Sequence, residues 1–488
     1  MDRRRRRSRR RDHRRRPGPA TRSHRGPGSR RPRTEYQTRR QRPRSPGRPI
    51  TPEPRRRRTH DRPGPLGHRH RLAHHTADRP HHNTGGPVTD QVTGARILVA
   101  DDQTDVARTL CSPLRKAGAQ LRFVPDGHTA LAEIATRPFD LIIVDMKMPP
   151  EEWGGLWLLR RLSLDGWRIP TLVLSGEGSK QQVIEALRLG SADWIDKDAA
   201  GEELLGRCTH ILQDRLEQSL ELASTHLPTP LAFRFARYAR TTDPDRQVTE
   251  GLHTLEAVLR FAAALGLSNP APAPLQGISP ERLAQPSMGT WFTLCTALAQ
   301  TPGCCTPFTE ILSWLMPDRT DRQPVQDLIK LRNDIAHGRA TATPAHRASL
   351  DLLLRRFAHR AASSWRATLA APTSMTYDGS TYTLDVLTFT GAGKPSPGTV
   401  RTEHPQVTGR MLLLTGQAPP LRLSPWLVAQ ATHQFGTPRC LQFDGLQRTK
   451  SGPDSATPLK YAKADDGEDT TTAGHPGGTW QALAAWLQ

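Results

Sequence analysis

Between residues 95 and 215, short apolar runs alternate with amphipathic segments, and each of several runs stops at a chemically distinctive side chain. RILVAD (96–101) ends in acid, as does FDLIIVD (139–145). IPTLVLS (169–175) ends in a hydroxyl and ADWIDK (192–197) in an amine, while QLRFV (120–124) supplies one more apolar run. Between them, DVARTLCSPLRKAG (105–118), GHTALAEIA (127–135) and KQQVIEALRLG (180–190) have helical spacing. Runs this apolar need cover on both faces, which helical crossovers supply. The pattern predicts an α/β unit with a doubly wound, five-stranded parallel sheet. Right-handed crossovers then put the carboxyl ends of all strands on one edge.

That edge gathers Asp101, Asp102, Asp145, Ser175 and Lys197. Three crowded carboxylates repel one another, and a divalent cation relieves them. All-oxygen ligation without His or Cys suits Mg²⁺. A hydroxyl and an ammonium nearby offer donors to an anion, so the set fits transfer of a phosphoryl group to a carboxylate.

ILVADDQ, IIVDMKMPP, LVLSG and GSADWIDKD resemble the receiver domain of two-component response regulators, a flavodoxin-like fold, over roughly 120 residues. The resemblance implies phosphorylation at Asp145 by a histidine kinase. It implies Mg²⁺ held by Asp101, Asp102, Asp145 and the backbone carbonyl of Lys147. It makes Ser175 and Lys197 catalytic helpers and Trp194 the switch aromatic. One position departs from the family: Asp198 stands where a proline usually follows the lysine, which puts the loop carrying Lys197 in question.

The formal charge of +22 sits entirely in residues 1–90, which hold 29 Arg, no Lys and 7 acidic residues. This Arg- and Pro-rich leader has too little apolar content to fold, so disorder is expected. It reads either as a basic arm for nucleic acid or as a misassigned start, with Val88 or Val92 as the true initiator. Six scattered cysteines without metal spacing read as reduced thiols. With no apolar run of membrane length, the expectation is a cytoplasmic protein with no membrane association.

Residues 216–371 show only amphipathic helical patterns, so an all-α bundle is expected there. Its notable stretch is LRNDIAHG (331–338). Asn333, Asp334 and His337 share a helix face, whereas Arg332 and His337 lie about 140° apart on an ideal helix of about 3.6 residues per turn. RNDIAH, with SMGTW upstream (287–291), resembles HEPN-type helical output domains, many of them metal-independent ribonucleases. That resemblance implies RNA as a substrate, Arg332 and His337 as its active pair, and a homodimer completing the site. The structural alternative is a polar helix end.

Residues 372–488 change period, and Asp378-Gly379 between β-rich arms signals a hairpin. A small β-rich or α+β unit is expected. PWLVAQATHQF (425–435) is read as helical, and Asp465, Asp466 and Glu468 as a solvated acidic turn. The reading is a response regulator whose phosphorylated first unit passes a conformational bias, through the face near Trp194, to a helical output. The alternatives are a phosphorylation-gated ribonuclease and a nucleic-acid-binding regulator that uses the basic arm.

Overall fold

The computed structural model describes residues 92–176, 180–268, 280–416, 418–431, 438–447, 457–463 and 470–472. The expectations for the Arg-rich leader and for Asp465, Asp466 and Glu468 fall outside them.

The first unit is the predicted sheet. Strands β1 (Arg96–Ala100), β2 (Gln120–Val124), β3 (Leu141–Val144), β4 (Thr171–Ser175) and β5 (Asp193–Asp196) are all parallel, in the order β2-β1-β3-β4-β5. Side chains alternate between two apolar layers: Ile97 and Val99 join one, Leu98 and Ala100 the other. Helices α1 (Thr104–Leu110), α2 (Ser112–Lys116), α3 (Gly127–Thr136), α4 (Gly154–Leu164), α5 (Lys180–Arg188) and α6 (Ala200–His226) are its crossovers and cover. One expectation needs correction: the single helix read over 105–118 is broken at Cys111, where Ser112-Pro113 restarts it with proline in the first turn. The α6 helix runs on past residue 215 as one continuous helix of 27 residues, whose buried positions include Leu204, Leu212, Leu216 and Leu220.

The helical region holds α7 (Thr229–Arg240), α8 (Pro244–Leu267), α9 (Pro280–Ala284), α10 (Met288–Leu298), α11 (Thr306–Leu315), α12 (Arg322–Ala336) and α13 (Pro344–Ser364). Asp243, Ser287 and Thr343 each cap a helix start by accepting a backbone N–H. The α8 helix is buried at most positions after Val248, is apolar throughout from Phe261 to Leu267, and has α10 and α11 packed against it. The last helix stops at Ser364.

Thr368 already opens β6 (Thr368–Tyr377), so the boundary at 372 falls within a strand. This strand pairs antiparallel with β7 (Tyr382–Thr388) across the predicted hairpin, where Gly379 takes φ +100°. With β8 (Ser396–Thr402), β9 (Leu412–Leu414) and β10 (Leu421–Arg422) they form one sheet, ordered β10-β9-β6-β7-β8. A second sheet holds β11 (Leu427–Ala431), β12 (Pro438–Leu446), β13 (Leu459–Lys463) and β14 (Thr470–Thr472). The helix expected at 425–435 is therefore corrected to a strand: Leu427–Ala431 pairs with Pro438–Gln442 of β12. A five-residue apolar run shows no period of its own, and pairing decides its state. Phe443, Trp426 and Tyr461 pack edge-on, and Phe443 meets Trp291 of α10, so this sheet shares the helical core.

The helices grip the parallel sheet at the amino ends of its strands. Arg360 of α13 makes two bonds to the Asp140 carboxylate, at 2.7 and 2.9 Å, immediately before β3. Asp140, His359 and Arg360 are each at most 4% exposed, and His359 Nε2 donates to the Asp140 carbonyl at 2.9 Å. Arg96, at the start of β1, pairs with Asp318 at 2.6 Å; Arg356 bonds the Thr93 carbonyl, and the Arg168 N–H donates to Ser363 O.

Candidate functional site

At the opposite edge, the carboxyl ends of β1, β3, β4 and β5 bring the predicted residues together. Asp101 and Asp102 follow β1, Asp145 follows β3, Ser175 ends β4 and Lys197 follows β5. Asp101, Asp145 and Ser175 are buried, and Asp102 is exposed. One ligand oxygen from each of Asp101, Asp102 and Asp145 lies within 4.8 Å of the others, the single group of this kind among the described residues. Lys197 Nζ sits 2.9 Å from Asp101 and 3.3 Å from Asp145. The Asp101 carboxylate also accepts the Gln103 N–H at 2.8 Å, which fixes the turn after β1.

Electrostatics here are dominated by desolvation. Burial pushes the Asp145 carboxyl up to about 6, and Asp101 and Asp102 add to the rise, against the lowering effect of Lys197. The Lys197 ammonium is burdened by burial, yet Asp101 and Asp145 hold its pKa above the ordinary value. One ammonium therefore does not offset three carboxylates. The donor set is all oxygen, partly buried and short of positive charge, and it fits a hard divalent cation such as Mg²⁺.

Two glycines let the loop after Asp145 close. A Cβ at Gly154 would lie 2.1 Å from Met148 O, and one at Gly155 would lie 2.4 Å from Asp145 O. Only a backbone without side chains lets the start of α4 approach this loop so closely. Lys147 lies in the loop and is exposed.

Trp194 is half-buried and packs on the apolar layer that includes Val173 and Ala186. The polar contacts to α13 fall at the far edge of the sheet, while β5, which carries Trp194, packs on α6, the helix that also packs on α7 and α13.

The second candidate set does not assemble within the chain. Arg332 Nη1 bonds Asn333 Oδ1 at 3.3 Å, a neighbour rather than His337. His337 caps α12, and its imidazole is exposed. Gly338 at φ +66° closes the helix, with its N–H on Ile335 O and that of Arg339 on Asp334 O. The helix is continuous from Arg322 to Ala336, so Arg332 keeps its helical position and is not brought round toward His337.

Residues 97–209 match the family model described as the response regulator receiver domain. Transcriptional regulatory protein PrrA of Mycobacterium tuberculosis is 30% identical over 169 residues, 34% of this chain and 72% of that protein. The chain belongs to the response regulator receiver family. Response regulator MprA of Mycolicibacterium vanbaalenii is 35% identical over 118 residues, 24% of this chain and 50% of that protein. A solved receiver domain, Francisella response regulator 1452, is 30% identical and covers 25% of this chain and 98% of its own, with a TM-score of 0.24. The chain spans half the length or less of the first curated relatives it matches. The receiver match ends within α6. No helix among the described residues is long and apolar enough to cross a membrane.

Two features left little trace in the sequence. The Asp140–Arg360 clamp joins residues 220 apart, and only the Asp preceding an apolar strand hinted at it. The turn in which Asp196 Oδ1 accepts the Asp198 N–H at 3.0 Å depends on local backbone and follows no sequence period.

Proposed function

We propose that this chain is a response regulator that accepts a phosphoryl group on Asp145 from the phosphohistidine of a histidine kinase. The observation that carries the reading is the buried Asp145 carboxylate, with Lys197 at 3.3 Å and Asp101 and Asp102 beside it. A carboxylate oxygen of Asp145 attacks phosphorus as the P–N bond to the kinase histidine breaks, and the electron pair leaves with the imidazole. Asp101, Asp102, Asp145 and the Lys147 carbonyl would hold Mg²⁺. When bound, that ion supplies charge to offset the phosphoryl oxygens. Lys197 neutralises the same oxygens, and the Ser175 hydroxyl donates to one of them. Trp194, at the end of the same sheet, follows the movement of Ser175.

The test is incubation of the purified protein with Mg²⁺ and acetyl phosphate. One phosphate should be added per chain, none on Asp145→Asn and little when the ion is chelated. Normal labelling of Asp145→Asn would refute the assignment.

The helical region is the proposed output. Ribonuclease action there is favoured by one observation: the His337 imidazole is exposed and makes no hydrogen bond or ion pair among the described residues. Because Arg332 is turned to Asn333, such a site draws its second half from another copy of the chain. Equal cleavage of RNA by the native protein and His337→Ala would dispose of it.

A further inference from the structure

We propose that Asp196 is a positioning residue for Lys197, doing with a side chain what the sequence departure at Asp198 leaves undone. The turn after β5 is tied by its backbone at three points. The Lys197 N–H donates to Ser175 O at 3.1 Å, Ala199 N–H to Asp196 O at 3.0 Å, and Ala200 N–H to Lys197 O at 3.3 Å. The residue after Lys197 is not proline, so it brings one more N–H into the turn. Asp196 Oδ1 accepts that Asp198 N–H at 3.0 Å, two residues on, as an aspartate in a turn does.

Asp196 has no competing task. Its neighbour on the strand, Asp193, pairs with Arg207 at 3.1 Å; Asp196 is exposed and forms no ion pair among the described residues. The turn it closes holds the root of Lys197, and the tip of Lys197 must reach two carboxylates at once, at 2.9 and 3.3 Å. A looser root spreads the ammonium over more positions and lowers its share of time between Asp101 and Asp145.

The inference rests on the reading of Asp145 as acceptor. With acetyl phosphate, the new bond joins an Asp145 oxygen to phosphorus, while the P–O bond to acetate breaks and acetate leaves with the electron pair. Lys197 faces the charge on the phosphoryl oxygens, and Asp196 touches none of the reacting atoms.

The experiment compares the full chain with Asp196→Ala and Asp196→Asn, using Mg²⁺ and acetyl phosphate and following the mass of the protein. Asp196→Ala should label about tenfold more slowly, while Asp196→Asn, which keeps the acceptor oxygen, should stay within about twofold of the native rate. Hydrogen exchange of the peptide spanning 193–200 is measured alongside without phosphodonor, and should speed up in the alanine variant alone. Native labelling by Asp196→Ala, or asparagine as slow as alanine, overturns the proposal. If the native chain takes no phosphate, the acceptor reading fails instead. Unchanged exchange in Asp196→Ala would then sink the positioning claim on its own.

Discussion

Gly155 shows how a single missing side chain sets the geometry of the loop after Asp145. A Cβ there would lie 2.4 Å from Asp145 O and 2.8 Å from Met146 Cα, both backbone atoms that cannot swing aside. Gly155→Ala therefore has to push the start of α4 away from the acceptor loop. The expected cost is about 2 kcal/mol or more of stability, read by denaturant unfolding, together with slower labelling at Asp145. Gly154, with its 2.1 Å approach to Met148 O, makes the same demand one residue earlier. The convergence of the site residues is legible in the amino-acid sequence, because parallel strands deliver their last residues to one edge whatever their exact lengths. Asp101, Asp145, Ser175 and Lys197 needed only the strands to be found. The bond from Asp198 to Asp196 was not legible, since it depends on the local turn and not on any period.

Among elements, α13 and the start of β3 are joined by a buried ion pair. Arg360 and Asp140 are both buried, and Arg360 holds the Asp140 carboxyl down at about 2 against the cost of burial. Removing the cation with Arg360→Met leaves a buried, uncompensated carboxylate and should cost about 3–5 kcal/mol, read as a lower denaturation midpoint. Burial lowers the pKa of His359 beside it, Arg360 and Arg215 add to the lowering, and Asp140 opposes it. Its Nε2 donates to Asp140 O, and its Nδ1 has no hydrogen-bond partner among the described residues.

Both groups make the fold weaker in acid, in separate windows. Below the ordinary histidine value of 6.5, the unfolded chain takes up a proton that folded His359 resists, so stability falls as pH drops through that region. The Asp140 contribution is intact above the ordinary 3.8 and is lost as pH falls toward about 2. Unfolding free energies measured on the two sides of the histidine value should therefore differ, and His359→Gln should flatten the difference. An unchanged slope in that variant would remove His359 from the account. None of this was visible in the sequence, because helical and strand periods mark which face is buried and not which charge meets which. The same limit explains the strand at Leu427–Ala431, whose state is decided by pairing with β12, and the break at Cys111, where Pro113 outweighs a helical pattern.

Across the described molecule, the parallel sheet, the helices and the β-rich sheets are tied together. Helix α6 contributes Leu204 and Leu212 to the receiver core and Leu220 and Ala223 to the helical core. Phe389 and Met411 of the β-rich region join that same helical core. Elements that share cores and a buried ion pair should unfold together. Calorimetry is expected to show one main transition for these regions, and Arg360→Met should shift or split it. A receiver that melts independently in the native protein would contradict this. At this scale the order of α/β, helical and β-rich regions followed from composition and period. The grip at the amino edge of the sheet did not, since nothing in the strand pattern says which edge a neighbour will take.

The length of α6 has a consequence for how such a chain can be recombined. The receiver match ends at residue 209, yet the helix continues to His226 with Leu216 and Leu220 still buried. A gene fusion cut at the end of the receiver would leave part of a helix without its partners and strip the remainder from the module it braces. The join therefore behaves as an inherited splice and not as a tether. Exchanging outputs between chains of this type would succeed when the whole of α6 travels with the helices that pack on it.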